Sequence, residues 1–143
     1  KLNNGGEKMT SEDFVSQIMS KNVITVDSSE KVLRALQIMA EKGIGSVIVI
    51  ENGKPVGIIT ERDIAKKLVQ DKSTLDKKVK DVMSKPLITV SPDTGIFEAL
   101  QIMRKNNIRR LPVVSAGKLE GIVTEKDLLY WVLKVAYAPY PPP

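Results

Sequence analysis

Neither cysteine nor histidine occurs anywhere in the 143-residue chain. Disulfides, thiol nucleophiles, imidazole acid–base chemistry and Cys/His zinc sites are therefore excluded. Only carboxylates remain as metal ligands, and no EF-hand spacing occurs among them, so no metal site is expected. Serine and threonine have no histidine to activate them, which argues against an enzyme. Aromatic residues are scarce, with one Trp, three Tyr and two Phe. They form no base-stacking platform of the RNA-recognition type. No apolar run approaches the ~20 residues that cross a bilayer, and no secretory signal is visible. No membrane association is expected. A cysteine-free chain fits a reducing compartment, so the expected location is cytoplasmic.

What remains is the composition of an ordinary globular protein, 42% hydrophobic and 27% charged. Twenty-two basic and 17 acidic residues leave a net charge of +5. The two signs are interleaved along most of the chain. Nucleic-acid binding, which gathers cations on one face, is therefore the weaker of the alternatives.

The chain is a tandem duplication. Ile18–Val69 aligns without a gap onto Val82–Leu133, at a constant offset of 64 residues. Met19-Ser20-Lys21 matches Met83-Ser84-Lys85, Ile24-Thr25-Val26 matches Ile88-Thr89-Val90, and Ala35-Leu36-Gln37-Ile38-Met39 matches Ala99-Leu100-Gln101-Ile102-Met103. Gly57-Ile58-Ile59-Thr60-Glu61-Arg62-Asp63 matches Gly121-Ile122-Val123-Thr124-Glu125-Lys126-Asp127.

Each copy reads as β-α-β-β-α. A short β-prone run ends at Val26, and Asp27-Ser28-Ser29 offers cap oxygens for the next helix. Val32, Leu36 and Met39 recur at helical spacing, as do Ile96, Leu100 and Met103, and are expected in the core. Gly43 and Asn107 suit the left-handed residue after a helix. Ser46–Ile50 is apolar enough for a strand covered on both faces. Asn52-Gly53 signals a type I′ hairpin, with Ala116-Gly117 in its place in the second copy. Glu61 and Asp63 put negative charge at the start of the following helix. Between the copies, Lys72–Asp81 is expected to hold a helical turn, because Val79, Val82 and Met83 fall on one side. A single copy is near the lower size limit for an independent core. The expected class is α/β (α+β), two pseudo-twofold-related βαββα repeats packed sheet to sheet. Residues 1–9 are expected to be a disordered or extraneous N-terminal stretch, with Met9 as a candidate natural start. Residues 10–71 form repeat one, 72–136 repeat two and 137–143 a proline-rich tail.

This pattern resembles the CBS domain pair, also called a Bateman module. The features that carry the likeness are Met-Ser-Lys before Ile-Thr-Val, the Ala-Leu-x-x-Met helix, Arg110-Leu111-Pro112-Val113-Val114, and two copies of Gly-h-h-Thr-x-x-Asp, h being apolar. They cover about Phe14 to Leu133. The resemblance implies a regulatory module, of the free-standing type, that binds an adenosine-containing ligand (AMP, ADP, ATP or S-adenosylmethionine) in clefts between the repeats. It also implies a homodimer and an unidentified regulated protein. No cofactor is required beyond the adenine nucleotide as regulatory ligand.

The candidate residues have a physical logic of their own. Gly57 and Gly121 lack a Cβ, so a strand and a ligand can approach closely. Thr60 and Thr124 stand at strand-to-helix junctions, where free N–H groups favour phosphate. Asp63 and Asp127, three residues on, can accept hydrogen bonds from both ribose hydroxyls. The same Thr and Asp residues also make good helix caps, and both uses stay open. Arg109 and Arg110 are the best phosphate ligands. Their counterparts in the first copy are Gly45 and Ser46, so the two sites are expected to differ: the one reached by Arg109 or Arg110 is expected to bind a phosphorylated ligand, and the other to be weaker or empty. Arg62 and Lys126 are within reach of a phosphate as well, but are read first as solvated helix starts. From the resemblance, Thr25 and Val26, and likewise Thr89 and Val90, lie beside the purine and offer it backbone groups. Trp131, Tyr130 and Tyr137 on the last helix form either core or a dimer contact. The main alternative to a nucleotide sensor is an interaction or oligomerisation module without ligand.

Overall fold

The structure is a computed structural model that describes residues 13–137, with side chains through 135. The 1–9 stretch, the Tyr137 side chain and the tail from Tyr140 lie outside the described residues. No described helix is long and apolar enough to cross a membrane. The mixed α/β class is as expected. The chain divides into two compact units.

The unit Val23–Ile88 runs β1 (Thr25–Asp27), α1 (Val32–Lys42), β2 (Ser46–Glu51), β3 (Lys54–Thr60) and α2 (Glu61–Gln70). Two 3-10 turns follow, Lys72–Asp76 and Val79–Asp81. The sheet order is β1-β2-β3, with β1 parallel and β3 antiparallel to β2. Val47 and Val49 on β2, Ile59 on β3, Ala35 and Met39 on α1 and Ile64 on α2 form one core. Each of the Val, Ile and Met side chains, fully buried, contributes about 1.5–3 kcal/mol, and the Ala35 methyl about 0.8 kcal/mol. Val79 and Val82 complete that core, which confirms the turn expected between the repeats. Leu36 only packs at its edge.

Gly43 ends α1 at φ 66°. The start of α1 departs from expectation. Asp27 turns back on Ser29, accepting from its N at 3.0 Å and its Oγ at 2.6 Å. The capping position is Lys31, which offers no side-chain bond. Backbone from the later segment does the work: Val32 N donates to Lys77 O at 2.8 Å, and Val79 N to Glu30 O at 2.8 Å.

The second unit joins the chain up to Asn22 with the chain from Thr89 onward. It holds a 3-10 turn (Val15–Gln17), α3 (Ile96–Asn106), β4 (Arg110–Ser115), β5 (Lys118–Thr124) and α4 (Glu125–Tyr137). Here the expected first strand is reduced to one parallel bridge, Val90↔Val113, beside a two-stranded β4-β5 sheet. Prolines explain the loss. In the first unit Ile48 N donates to Ile24 O and Ser28 N to Ile50 O. The counterparts of Ile48 and Ser28 are Pro112 and Pro92, which have no N–H to donate. Only the Val90 pairing between them survives. Asn107 ends α3 at φ 54°. Both hairpin turns have positive φ at both central residues: Asn52 52°, Gly53 77°, Ala116 51° and Gly117 79°.

The units are offset from the repeats. The start of repeat one docks on repeat two: Val15 N donates to Thr94 O at 2.9 Å, and Ile96 N to Asp13 O at 3.2 Å. Val79–Ser84, near the start of repeat two, docks in the same way on repeat one.

Candidate functional site

Each unit holds a full set of the residues singled out in the sequence. Thr25, Val26, Gly57, Thr60 and Asp63 fall in one; Thr89, Val90, Arg109, Arg110, Gly121, Thr124 and Asp127 fall in the other.

At the end of β3, Thr60 and Asp63 form a reciprocal cap. Asp63 N donates to Thr60 Oγ1 at 2.9 Å, and Thr60 N to Asp63 Oδ2 at 3.0 Å. The second unit repeats this with Asp127 N to Thr124 Oγ1 and Thr124 N to Asp127 Oδ2, both at 3.1 Å. All four residues are half-buried. The capping use of these residues is thus realised, and it consumes one carboxylate oxygen of each Asp. It also spends N–H groups that the sequence reading left free for phosphate. Asp63 N and Asp127 N serve the caps; Glu61 N binds Gly45 O at 3.0 Å and Glu125 N binds Arg109 O at 2.9 Å.

The second carboxylate oxygens differ. Ser84 Oγ donates to Asp63 Oδ1 at 3.1 Å. Among the described residues nothing hydrogen-bonds Asp127 Oδ1. Ser20, the counterpart of Ser84, instead accepts from Asn22 N at 3.3 Å. The residue matching Asn22 is Pro86, which has no N–H to offer Ser84.

The glycines serve the chain's own packing. A Cβ on Gly57 would lie 2.7 Å from Met83 Sδ and 2.8 Å from Ser84 O; one on Gly121 would lie 2.7 Å from Met19 Sδ and 2.8 Å from Ser20 O. In each unit the Met-Ser segment bridges the strand from outside, through Ile58–Ser84 and Ile122–Ser20 backbone pairs. The space on the Cβ side of Gly57 and Gly121 is therefore occupied by that segment. The repeated Met-Ser-Lys triplet is the sequence signal for this segment, which brings Met83 and Ser84 to Gly57 and Met19 and Ser20 to Gly121.

Val26 and Val90 are buried. Val90 donates its N–H to Pro112 O at 3.1 Å and accepts from Val114 N at 2.8 Å. Its backbone is spent, so backbone groups for a ligand must come from Thr89, whose groups point the other way along an extended chain. Thr25 is placed likewise on β1, which pairs on one side only. Thr25 and Thr89 are exposed.

The charged residues separate the two sets. Arg110 lies directly opposite Thr124 in the β4–β5 ladder, so their side chains share a face. Arg109 Nε stands 3.8 Å from Glu125 Oε1, with 83% of its side chain exposed. Such an exposed pair is worth about 0–1 kcal/mol and is easily surrendered. In the first unit Ser46 faces Thr60. A Cβ on Gly45 would lie 3.2 Å from Glu61 Oε1, so a carboxylate without an arginine borders that site. On α4, Trp131 is half-buried edge-on to Phe97 at 5.9 Å. Tyr130 is exposed, with Lys134 Nζ 5.7 Å from its ring.

The sequence profile of the CBS domain matches residues 15–70 and 79–134. Protein MK0525 of Methanopyrus kandleri is 42% identical over 118 residues, 80% of this chain and 60% of that protein. MJ1404 of Methanocaldococcus jannaschii is 32% identical, and the chain spans 33% of its length. The chain is thus shorter than these relatives and covers under two thirds of either. Among solved structures, the CBS domain pair of MJ0100 in complex with 5′-methylthioadenosine and S-adenosyl-L-methionine is 34% identical. Its TM-score is 0.74, with 83% of this chain and 94% of that one covered. Two profile matches, each with its own strand–helix Thr-x-x-Asp cap, make this chain a member of the CBS domain family.

Proposed function

We propose that the chain is a regulatory module that binds an adenosine-containing ligand and performs no catalysis. The observation that carries this reading is the paired Thr-x-x-Asp cap. It fixes each carboxylate at a strand-to-helix junction by one oxygen; the other accepts from Ser84 at Asp63 and, among the described residues, is uncommitted at Asp127. A ribose offers two adjacent hydroxyls as donors. Hydrogen bonds to a charged group contribute about 1.5–3 kcal/mol each, against roughly 8 kcal/mol for a micromolar ligand. The remainder comes from the purine, packed by the Val26 or Val90 strand and bonded by Thr25 or Thr89 backbone groups, and from any phosphate. Family membership supports the reading, and so does the adenosine compounds' presence in the MJ0100 complex. The ligand acts by preferring one of two arrangements of the protein, and only that difference in affinity transmits a signal.

A thermal-shift panel of AMP, ADP, ATP, S-adenosylmethionine and 5′-methylthioadenosine, with GMP and GTP as controls, tests this. A rise in Tm for adenosine compounds alone is expected. No shift with any of them in a folded protein removes the reading. Leu129, Leu133 and Tyr130 leave α4 with an exposed apolar face, which favours self-association as a homodimer, with or without ligand. Sedimentation velocity across a concentration series checks it, and a monomer at all concentrations counts against it.

A further inference from the structure

The two Thr-x-x-Asp sites are alike in backbone and unlike in chemistry, and the differences point one way. At Asp127, one carboxylate oxygen is uncommitted among the described residues, and two arginines stand at the same strand end. Arg110 shares a face with Thr124, and Arg109 holds its weak pair with Glu125 at the first residue of α4. At Asp63, Ser84 already donates to the second oxygen, neither arginine is present, and Glu61 sits against Gly45. Arg62 and Lys126 occupy the same place in both motifs and cancel in the comparison.

Resting on the adenosine reading above, we infer that the sites take different ligand classes: Asp127 takes an adenosine 5′-phosphate, and Asp63 a non-phosphorylated adenosine compound that must displace the Ser84 hydroxyl. A serine hydroxyl donating to a carboxylate imitates one ribose hydroxyl. The incoming ribose therefore exchanges a bond at Asp63, whereas it adds one at Asp127. A dianionic phosphate gains charge-assisted, bidentate bonds from guanidinium groups at the Asp127 site. At the Asp63 site it meets the Glu61 carboxylate with no arginine beside it, whereas Glu125, which holds the same place at Asp127, is paired with Arg109.

Calorimetric titration with AMP and with adenosine tests the assignment. In the wild type, AMP should bind its tighter site at least about tenfold more strongly than adenosine does, the equivalent of one charge-assisted bond. The double variant Arg109→Gln/Arg110→Gln should bring that AMP-to-adenosine ratio to within about twofold of unity. Asp127→Asn, which keeps an oxygen for the cap, should abolish the tighter AMP event, and Asp63→Asn should not. Ser84→Ala should strengthen the weaker adenosine event by about threefold, the worth of a modest exposed hydrogen bond. Persistence of the AMP preference in the arginine variant overturns the assignment, as does loss of the tighter AMP event in Asp63→Asn. An unchanged weaker event in Ser84→Ala overturns the part played by Ser84. Equal binding of AMP and adenosine by the wild type defeats this inference alone. No binding of either by folded protein defeats it together with the reading beneath it.

Discussion

Replacing Gly57 by alanine puts a methyl group in place of a hydrogen at the point where the Met83–Ser84 segment crosses β3. The new Cβ would lie 2.7 Å from Met83 Sδ and 2.8 Å from Ser84 O. The thioether end can swing aside; the carbonyl cannot move unless the segment moves. That displacement strains or breaks two backbone bonds, Ser84 N to Ile58 O at 2.8 Å and Ile58 N to Ser84 O at 3.1 Å. Each is worth about 0.5–1.5 kcal/mol, and overpacking adds about 1–3 kcal/mol. A total loss of about 2–6 kcal/mol is expected, or a fall in Tm on the order of 7–20 °C for a chain of this size. Gly95 is the control. A Cβ there meets nothing nearer than Asp13 O at 4.0 Å, and its φ of −69° suits alanine, so Gly95→Ala should stay within about 1 kcal/mol of wild type. Urea and thermal unfolding followed by circular dichroism compare the three proteins. A Gly57→Ala melt within about 2 °C of wild type would refute the reasoning, because it would mean that the segment does not pack against β3 as described.

Three further outcomes are expected. Ala116 sits at φ 51° in a turn whose counterpart is Asn52-Gly53; Ala116→Asn should stabilise by about 0.5–1 kcal/mol in urea unfolding, since asparagine tolerates that conformation better. Thr60→Ala removes the acceptor for Asp63 N and should cost about 1 kcal/mol by the same measurement. Hydrogen bonds from Ser73, joined by Lys77 at 3.0 Å, hold the Asp71 carboxyl well below the usual carboxylate range. A lowered folded pKa means that this contribution is complete above about pH 4 and is lost as pH falls further. The acid limb of a stability–pH curve should therefore be shallower in Asp71→Asn than in wild type.

Much of the fold was legible because it is local and stated twice. Gly43 and Asn107 stop their helices as read, Asn52-Gly53 makes its turn, and Thr60 with Asp63 starts α2. The lost strand at Thr89-Val90 was legible too, in Pro92 and Pro112, had each been compared with its counterpart for an N–H. The caps of α1 and α3 were not. Their donors bond Lys77 and Asp13 carbonyls, which are remote in sequence and carry no residue-type signature. Gly57 and Gly121 announced a close approach without naming its partner, since any backbone segment leaves the same mark on a glycine. Ser84 reaches Asp63 across 21 positions, and nothing near Asp63 signals it. Long-range register, and not residue identity, decides which side chains complete each site.

Native mass spectrometry of the chain with an equimolar mixture of AMP, ATP, S-adenosylmethionine and GTP addresses ligand capture most directly, run beside Asp63→Asn/Asp127→Asn. The wild type should retain the mass of an adenosine compound and exclude GTP, and the double variant, folded by circular dichroism, should retain none. Adenosine compounds retained equally by the variant, or by neither protein, would contradict the assignment of these two carboxylates to a ribose.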